Sequence, residues 1–271
     1  MLEPITAESM DVFGLKGNDE GVLDYVTLDE ALSTGDIEVR EVDGGSSVSN
    51  IKVVNKGRSN VLIVAGELLQ GAKQNRTVNA SLMVAAQEEL VIDVACVEAG
   101  RWRGRSQVFG GNGSLSHATL RGLMLRQSSE ALRACGKPLS DQAAVWQEVR
   151  RKLDAMRSPS PTEALHAAFY VHGPTLNDLD QRFRMSADCC GAAVAINGRL
   201  AGVELFDKPE TLAKLWPKLV SSYAIDALEP DGMAGPAKPS TQMSHPAGSL
   251  AGFMGPKPTR WVVEERRRCP G

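Results

Sequence analysis

Apolar residues change their spacing along this chain, and the change divides it into parts. From Ile37 to Val42 apolar and polar positions alternate in part, Ile51 to Val54 is apolar and largely β-branched, and Val61 to Ala65 is an unbroken apolar run between Asn60 and Gly66. These patterns predict three strands in quick succession. Thr77 to Val84 and Leu90 to Val97 predict two more, and the short connections at Gly57 to Asn60 and Ala86 to Glu89 suit antiparallel neighbours. A short helix should precede them. Thr27-Leu-Asp-Glu30 has the spacing of a capping box, in which Thr27 bonds the first turn and Glu30 returns the bond, and Gly35 is placed to stop the helix.

Gly110 to Gly113, in the run FGGNGS, breaks the strand pattern and hands over to a helical period. Leu120, Leu123, Met124, Ala131 and Ala134 recur at helical spacing, and Val145, Val149, Leu153 and Met156 do so after an N-cap at Ser140. Ser160-Pro-Thr-Glu163 combines an N-cap, a first-turn proline and a returning glutamate, so a third helix should start there, and Thr175 to Met185 predicts a fourth. The clearest local signal is Ala192 to Ile196, then Asn197-Gly198, then Arg199 to Phe206: Asn-Gly tolerates the positive φ of a type I′ turn, so this is a hairpin. A last helix should begin at Pro209, be restarted or kinked by Pro217, and end near Leu228. The expected organisation is a single α+β domain over 1–228, with mainly antiparallel sheet from the N-terminal half plus the late hairpin. A helical section of about 116–186 packs against that sheet. Prolines and glycines interleave through 229–271, predicting an irregular or disordered tail.

Composition narrows the class without naming a function. At 271 residues, 42% hydrophobic and 23% charged, the chain can build a core without covalent staples. A net charge of -3 and only 5% aromatics argue against a nucleic-acid partner, which needs a basic footprint and stacking platforms. The start MLEPITAESM lacks the regions of a signal peptide and no apolar run is long enough to span a bilayer, so a cytoplasmic protein with no membrane partner is expected. Five scattered cysteines without C-x-x-C spacing and four histidines without a ligand pairing predict neither disulfides nor a metal. The residues specify no cofactor.

The stretch VLIVAGELLQGAKQNR, Val61 to Arg76, carries the chemistry. A phosphate-binding loop would need G-x-x-x-x-G-K followed by a hydroxyl, but here Ala72 follows the second glycine, lysine is displaced to Lys73, and Gln74 stands where the hydroxyl belongs. That chemistry is rejected. What remains is a crowd of polar groups, Glu67, Gln70, Lys73, Gln74, Asn75, Arg76 and Asn79, in one connection and the start of the next strand. The strand from Leu90 ends in Cys96-Val-Glu98-Ala-Gly-Arg101-Trp102. If these strands are neighbours, the two polar clusters meet at one edge. Arg76 or Arg101 would then grip an oxyanion, Lys73, Gln74 and Asn75 would read polar groups, Trp102 would stack, and Glu67 and Glu98 would supply acid–base chemistry or hold magnesium. The bland alternative is a solvated turn with Glu67 paired to Lys73 or Arg76. Cys96 reads as apolar filler, and Cys189-Cys190 as core entry to the hairpin.

At Gly66-Glu-Leu-Leu-Gln-Gly-Ala-Lys-Gln-Asn-Arg76 and Cys96-Val-Glu-Ala-Gly-Arg-Trp102 the chain resembles a bacterial family of unknown function. That family is named for its genomic association with ADP-ribosylglycohydrolases and the rhodanese-phosphatase superfamily. The resemblance runs from the Thr27 helix through the hairpin to Trp216-Pro217-Lys-Leu-Val-Ser-Ser-Tyr223, and it implies a role near nucleotide or ADP-ribose metabolism without supplying a reaction. Its polar signature falls on Glu67, Gly71, Lys73, Gln74, Asn75, Arg76, Glu98, Gly100, Arg101 and Trp102. Such a domain is expected to close with another apolar strand, whereas Gly232 to Gly271 is rich in Pro, Gly and Arg. Two functions compete. One is a domain binding a small anionic ligand, with or without enzymatic turnover of it, and a phosphorylated or ribosyl compound is the expected class. The other is a noncatalytic or homo-oligomer-forming protein whose polar cluster is a buried network fixing strand register.

Overall fold

The computed structural model describes residues 4–17, 23–42, 49–101, 104 and 106–230. The chain begins with three strands that its local pattern did not announce, β1 (Ile5–Ala7), β2 (Met10–Lys16) and β3 (Tyr25–Thr27). Helix α1 (Leu28–Thr34) then starts at the expected capping box: Glu30 N–H donates to Thr27 Oγ1 and Thr27 N–H donates to Glu30 Oε2. Gly35, at φ 75°, ends it. Eight strands follow: β4 (Ile37–Glu41), β5 (Asn50–Asn55), β6 (Asn60–Ile63), β7 (Glu67–Gly71), β8 (Arg76–Val78), β9 (Leu82–Val84), β10 (Glu89–Cys96) and β11 (Val108–Leu115).

Six of these close into a barrel in the order β10-β5-β4-β11-β7-β8. The remaining two, β6 and β9, join β3 in a separate sheet, with β6 parallel to β3 and antiparallel to β9. Several expectations are corrected here. The segment from Glu67 is a strand before it is a turn, because its backbone pairs with both β8 and β11. Thr77 to Val84 is two strands in two sheets, β8 and β9. The short connections at 57–60 and 86–89 therefore lead between sheets rather than between antiparallel neighbours. FGGNGS does not end the sheet: Gly110 and Gly111 lie in β11 opposite Gln70 and Leu69.

The helical section comprises α2 (Ala118–Cys135), α3 (Gln142–Ala155), α4 (His166–Val171) and α5 (Gly173–Arg182). Asp141, one residue beyond Ser140, caps α3 through Ala143 and Ala144 N–H. No helix starts at Ser160; its hydroxyl accepts from Ala164 N–H, and Glu163 takes φ 50°, so the segment is a turn leading to α4. The hairpin is as expected, with β12 (Cys189–Ile196) and β13 (Arg199–Leu205) joined by Asn197 and Gly198 at φ 52° and 70°. Its other neighbour is β2, giving a four-stranded sheet of order β1-β2-β12-β13. Helix α6 (Pro209–Ala227) runs through Pro217 without ending.

Two apolar cores result. One fills the barrel and the underside of α1, with Ile37, Val39, Ile51, Val53, Leu69, Val78, Val94 and Phe109. The other lies between the four-stranded sheet and the helices, with α6 at its centre through Leu215, Trp216, Leu219 and Tyr223. Among the described residues no helix is long and apolar enough to cross a membrane. The expected tail lies outside the described residues apart from Glu229 and Pro230.

Candidate functional site

Alternation along the barrel strands builds the site. Ile37 and Val39 are buried on one face of β4, Val78 on β8, and Ile92 and Val94 on β10. The next residues with the same parity are Glu41, Arg76 and Cys96, so the apolar interior gives way to a cation, an anion and a thiol at one end of the barrel. The pairing of β8 with β10 places Arg76 opposite Cys96, the adjacency on which the sequence argument depended.

Arg76 is wholly buried. Its Nη1 donates to Gln74 Oε1 (3.0 Å) and to Cys96 Sγ (2.8 Å), while Nε and Nη2 have no hydrogen-bond partner. Glu41 Oε1 stands 3.7 Å from Nη2, close enough for charge attraction but too far for a hydrogen bond. The open pair of donors, Nε–H and Nη2–H, forms the side-on fork of a guanidinium, the edge that meets two oxygens of one carboxylate or phosphate.

A second set of bonds holds Arg76 from behind. Gly71, at φ 128°, and Ala72, at φ 42°, turn the chain from β7 towards β8; a Cβ on Gly71 would lie 2.6 Å from Val108 O, so only glycine fits. Arg101 braces this turn, donating to Ala72 O (2.7 Å), Gly71 O (3.1 Å) and Asn75 Oδ1 (3.1 Å) while pairing with Glu98 (2.7 Å). Glu98 also accepts from Asn75 N–H and from the Thr162 hydroxyl, and its carbonyl accepts from Gln74 Nε2. Burial alone would raise the Glu98 carboxyl, but Arg101, Thr162 and Asn75 N–H hold it below the usual range. Burial pushes the Cys96 thiol up despite the pull of Arg76, so it stays protonated at neutral pH.

The structure thus brings Gln74, Asn75, Arg76, Glu98 and Arg101 into one buried network. Half-buried Lys73 joins it through its backbone, whose N–H donates to Glu41 Oε1 (3.3 Å). Trp102 lies outside the described residues. Glu67 belongs to a different set: it neither pairs with Lys73 or Arg76 nor shares a hydrogen-bond partner with Glu98. Lys218 of α6 meets both of its oxygens (3.0 and 2.8 Å) and also Asp29 (2.5 Å). Burial outweighs Lys218 and lifts the Glu67 carboxyl to about 7. Sequence reasoning missed Glu41, whose signal was present as the third member of the Ile37, Val39, Glu41 alternation. It also missed Thr162, Gln142, which brackets Cys96 with bonds to its N–H and C=O, and His166, whose Nδ1 meets Asn75 Nδ2 at 3.2 Å. These come from the helical section and carry no local signal.

Another buried charged group, Lys152 with Asp226 and Glu229, ties α3 to the end of α6, and His117 beside it caps α2. Burial lowers His117 to about 4, so it is neutral at pH 7. No group of three or more His, Cys, Asp or Glu among the described residues is arranged to hold a metal.

Barrel and site together define an α+β domain with a buried, incompletely bonded arginine at one end of a closed six-stranded barrel. The chain belongs to the family of the ARG and Rhodanese-Phosphatase-superfamily-associated Protein domain, whose model matches residues 1–257, and that family is associated with ADP-ribosylglycohydrolase and rhodanese-phosphatase proteins. No curated protein and no solved structure matches the chain.

Proposed function

We propose that this protein binds a small oxyanionic ligand at the Arg76 end of the barrel, with two ligand oxygens on Nε–H and Nη2–H. The observation that carries this reading is the open fork. Buried donors are nearly always bonded, and leaving two unbonded on a charged group costs about 1–3 kcal/mol or more apiece. A ligand that supplies both acceptors removes that cost, and the rigid planar fork suits a carboxylate or a phosphate. The family's association with ADP-ribosylglycohydrolase proteins favours a phosphorylated or ribosyl compound of the ADP-ribose class. In this reading Arg76 holds the anion, half-buried Lys73 adds positive charge, and Gln74 and Asn75 present polar groups. Glu98 and Arg101 position the turn. Glu67, tied to Lys218, is a carboxyl able to exchange a proton near neutrality but stands in a separate network.

The second reading, a purely structural network, has its own support: Gln74, Arg76 and Glu98 are each no more than 2% exposed. Thermal denaturation against inorganic phosphate, ADP-ribose and a simple carboxylate separates the two. A ligand at a hundredfold its Kd should stabilise the fold by about 2.7 kcal/mol. The binding reading expects at least one of these to raise Tm in the wild type and none to do so in Arg76→Met, whose own stability should fall by about 1–3 kcal/mol because Gln74 Oε1 is left buried without its donor. A ligand shift that survives in Arg76→Met overturns the site. No shift in the wild type, with Arg76→Met strongly destabilised, establishes the structural network instead.

A further inference from the structure

Taking Arg76 as the anion site proposed above, we infer that Glu41 sets its specificity and selects a tetrahedral oxyanion that still carries a proton, of which hydrogen phosphate is the simplest. Glu41 ends β4 and brings a carboxylate beside the guanidinium fork, with Oε1 3.7 Å from Arg76 Nη2. Among the described residues its side chain takes one hydrogen bond, from Lys73 N–H to Oε1 (3.3 Å), and Oε2 accepts none. Of the two charged groups Glu41 is the outer one: its side chain keeps 20% of its surface exposed and that of Arg76 keeps none. Its charge is felt inside the site. Burial is the main cause of the raised Cys96 thiol, Arg76 opposes it, and Glu41 adds to it.

The site therefore offers two donors and one acceptor side by side: Nε–H and Nη2–H of Arg76, and Oε2 of Glu41. A ligand that matches it brings two acceptors and one donor. A carboxylate has two oxygens, both taken by the fork, and turns only negative charge towards Glu41. Sulfate has a third oxygen but no proton at neutral pH, so it too sets like charge against like. Hydrogen phosphate has both the third oxygen and the proton. Two of its oxygens accept from Arg76 while its P–OH donates to the Glu41 carboxylate, and all three bonds are charge-assisted. A phosphomonoester, whose second pKa is about 6, meets the same requirement by taking up a proton as it binds. The bridging phosphates of a compound such as ADP-ribose have no proton to give, so within the phosphorylated class Glu41 favours a terminal or free phosphate. It discriminates by repelling what it does not bind.

Isothermal titration calorimetry of the full chain with inorganic phosphate and with sulfate, at neutral pH and matched ionic strength, tests this. The wild type should bind phosphate on the order of a hundredfold more tightly than sulfate. Glu41→Gln keeps an oxygen for Lys73 N–H and gains an amide donor for sulfate, so it should melt close to the wild type and bind the two anions within a fewfold of each other. Arg76→Met should bind neither. Should Glu41→Gln fail to fold, the wild-type preference for phosphate still decides. Equal binding of both anions by the wild type, with neither bound by Arg76→Met, overturns the selection and leaves the anion site standing. So does a preference for phosphate that persists undiminished in Glu41→Gln, or a wild type that binds neither anion while Glu41→Gln binds both. Binding of neither anion by either protein removes the Arg76 site itself, and the role of Glu41 with it.

Discussion

The two ends of the barrel bury a polar side chain each, and they finish it differently. At one end Asn55, 1% exposed, uses every polar atom it has: Nδ2 donates to the carbonyls of Ser59, Val84 and Ala85, and Oδ1 accepts from Gly57 N–H. At the other end Arg76 is buried as deeply but commits one nitrogen of three. The difference is informative because both groups are equally buried and the charged guanidinium, which has the larger desolvation cost, is the one left less bonded. A side chain kept for structure alone is saturated by the protein around it, as Asn55 is. A buried group that leaves two donors unbonded, with Glu41 near enough for charge attraction but not for a hydrogen bond, is the feature on which the proposed ligand reading rests.

That contrast can be broken by substitution. The largest effect should come from the supports of the Arg76 end, where Glu98→Ala strands the Arg101 guanidinium, 7% exposed, and frees Asn75 N–H and the Thr162 hydroxyl. Removing one partner of a buried ion pair costs about 3–5 kcal/mol, which corresponds to a fall in Tm of roughly 10 °C for a domain of this size. Urea unfolding measures it, and a loss below about 1 kcal/mol would show that this pair does not brace the turn. Next comes Asn55→Ala, which leaves a buried N–H and several carbonyls without their partner and should cost about 2–3 kcal/mol. Phosphate or ADP-ribose should restore none of it. If an oxyanion stabilised Asn55→Ala less than it stabilises the wild type, the two ends would be coupled and the contrast between them would fail.

How much of this was legible depended on how far apart in sequence the interacting groups lie. The α1 capping box and the Asn197-Gly198 hairpin are local and stood out. The site was half legible: GAKQNR and CVEAGRW announced a polar crowd, and pairing of adjacent strands brought Arg76 to Cys96 as argued. Its completion was not, because the Lys218 partner of Glu67 comes from 151 residues away and Thr162 reaches Glu98 across 64. FGGNGS was misread for a related reason. Glycine weakens a strand by propensity, yet Gly110 and Gly111 are held extended by cross-strand bonds to β7 that no local pattern reveals. The N-terminal strands escaped likewise, since β2 is fixed by β12, whose register pairs Phe13 with Ala193.

The subtlest test of the two ends is their response to acid. Asn55 does not titrate, so its contribution should be constant with pH. Glu98 does, and its carboxyl is held below the ordinary value of 4.5. The unfolded state then binds the proton more readily than the folded one, so the stability Glu98 contributes is complete above 4.5 and is lost as pH falls through its lower folded value. Unfolding free energies measured from pH 7 down to about 3 should therefore give parallel curves for the wild type and Asn55→Ala. Glu98→Gln, which keeps much of the shape and removes the titration, should give a visibly flatter curve below pH 4.5. Other depressed carboxylates, among them Asp226 and Glu229, contribute equally to all three proteins and cancel in the comparison. Identical slopes in wild type and Glu98→Gln would mean that Arg101 does not hold an ionised Glu98, and the bracing of the Arg76 turn would then rest on its carbonyl contacts alone.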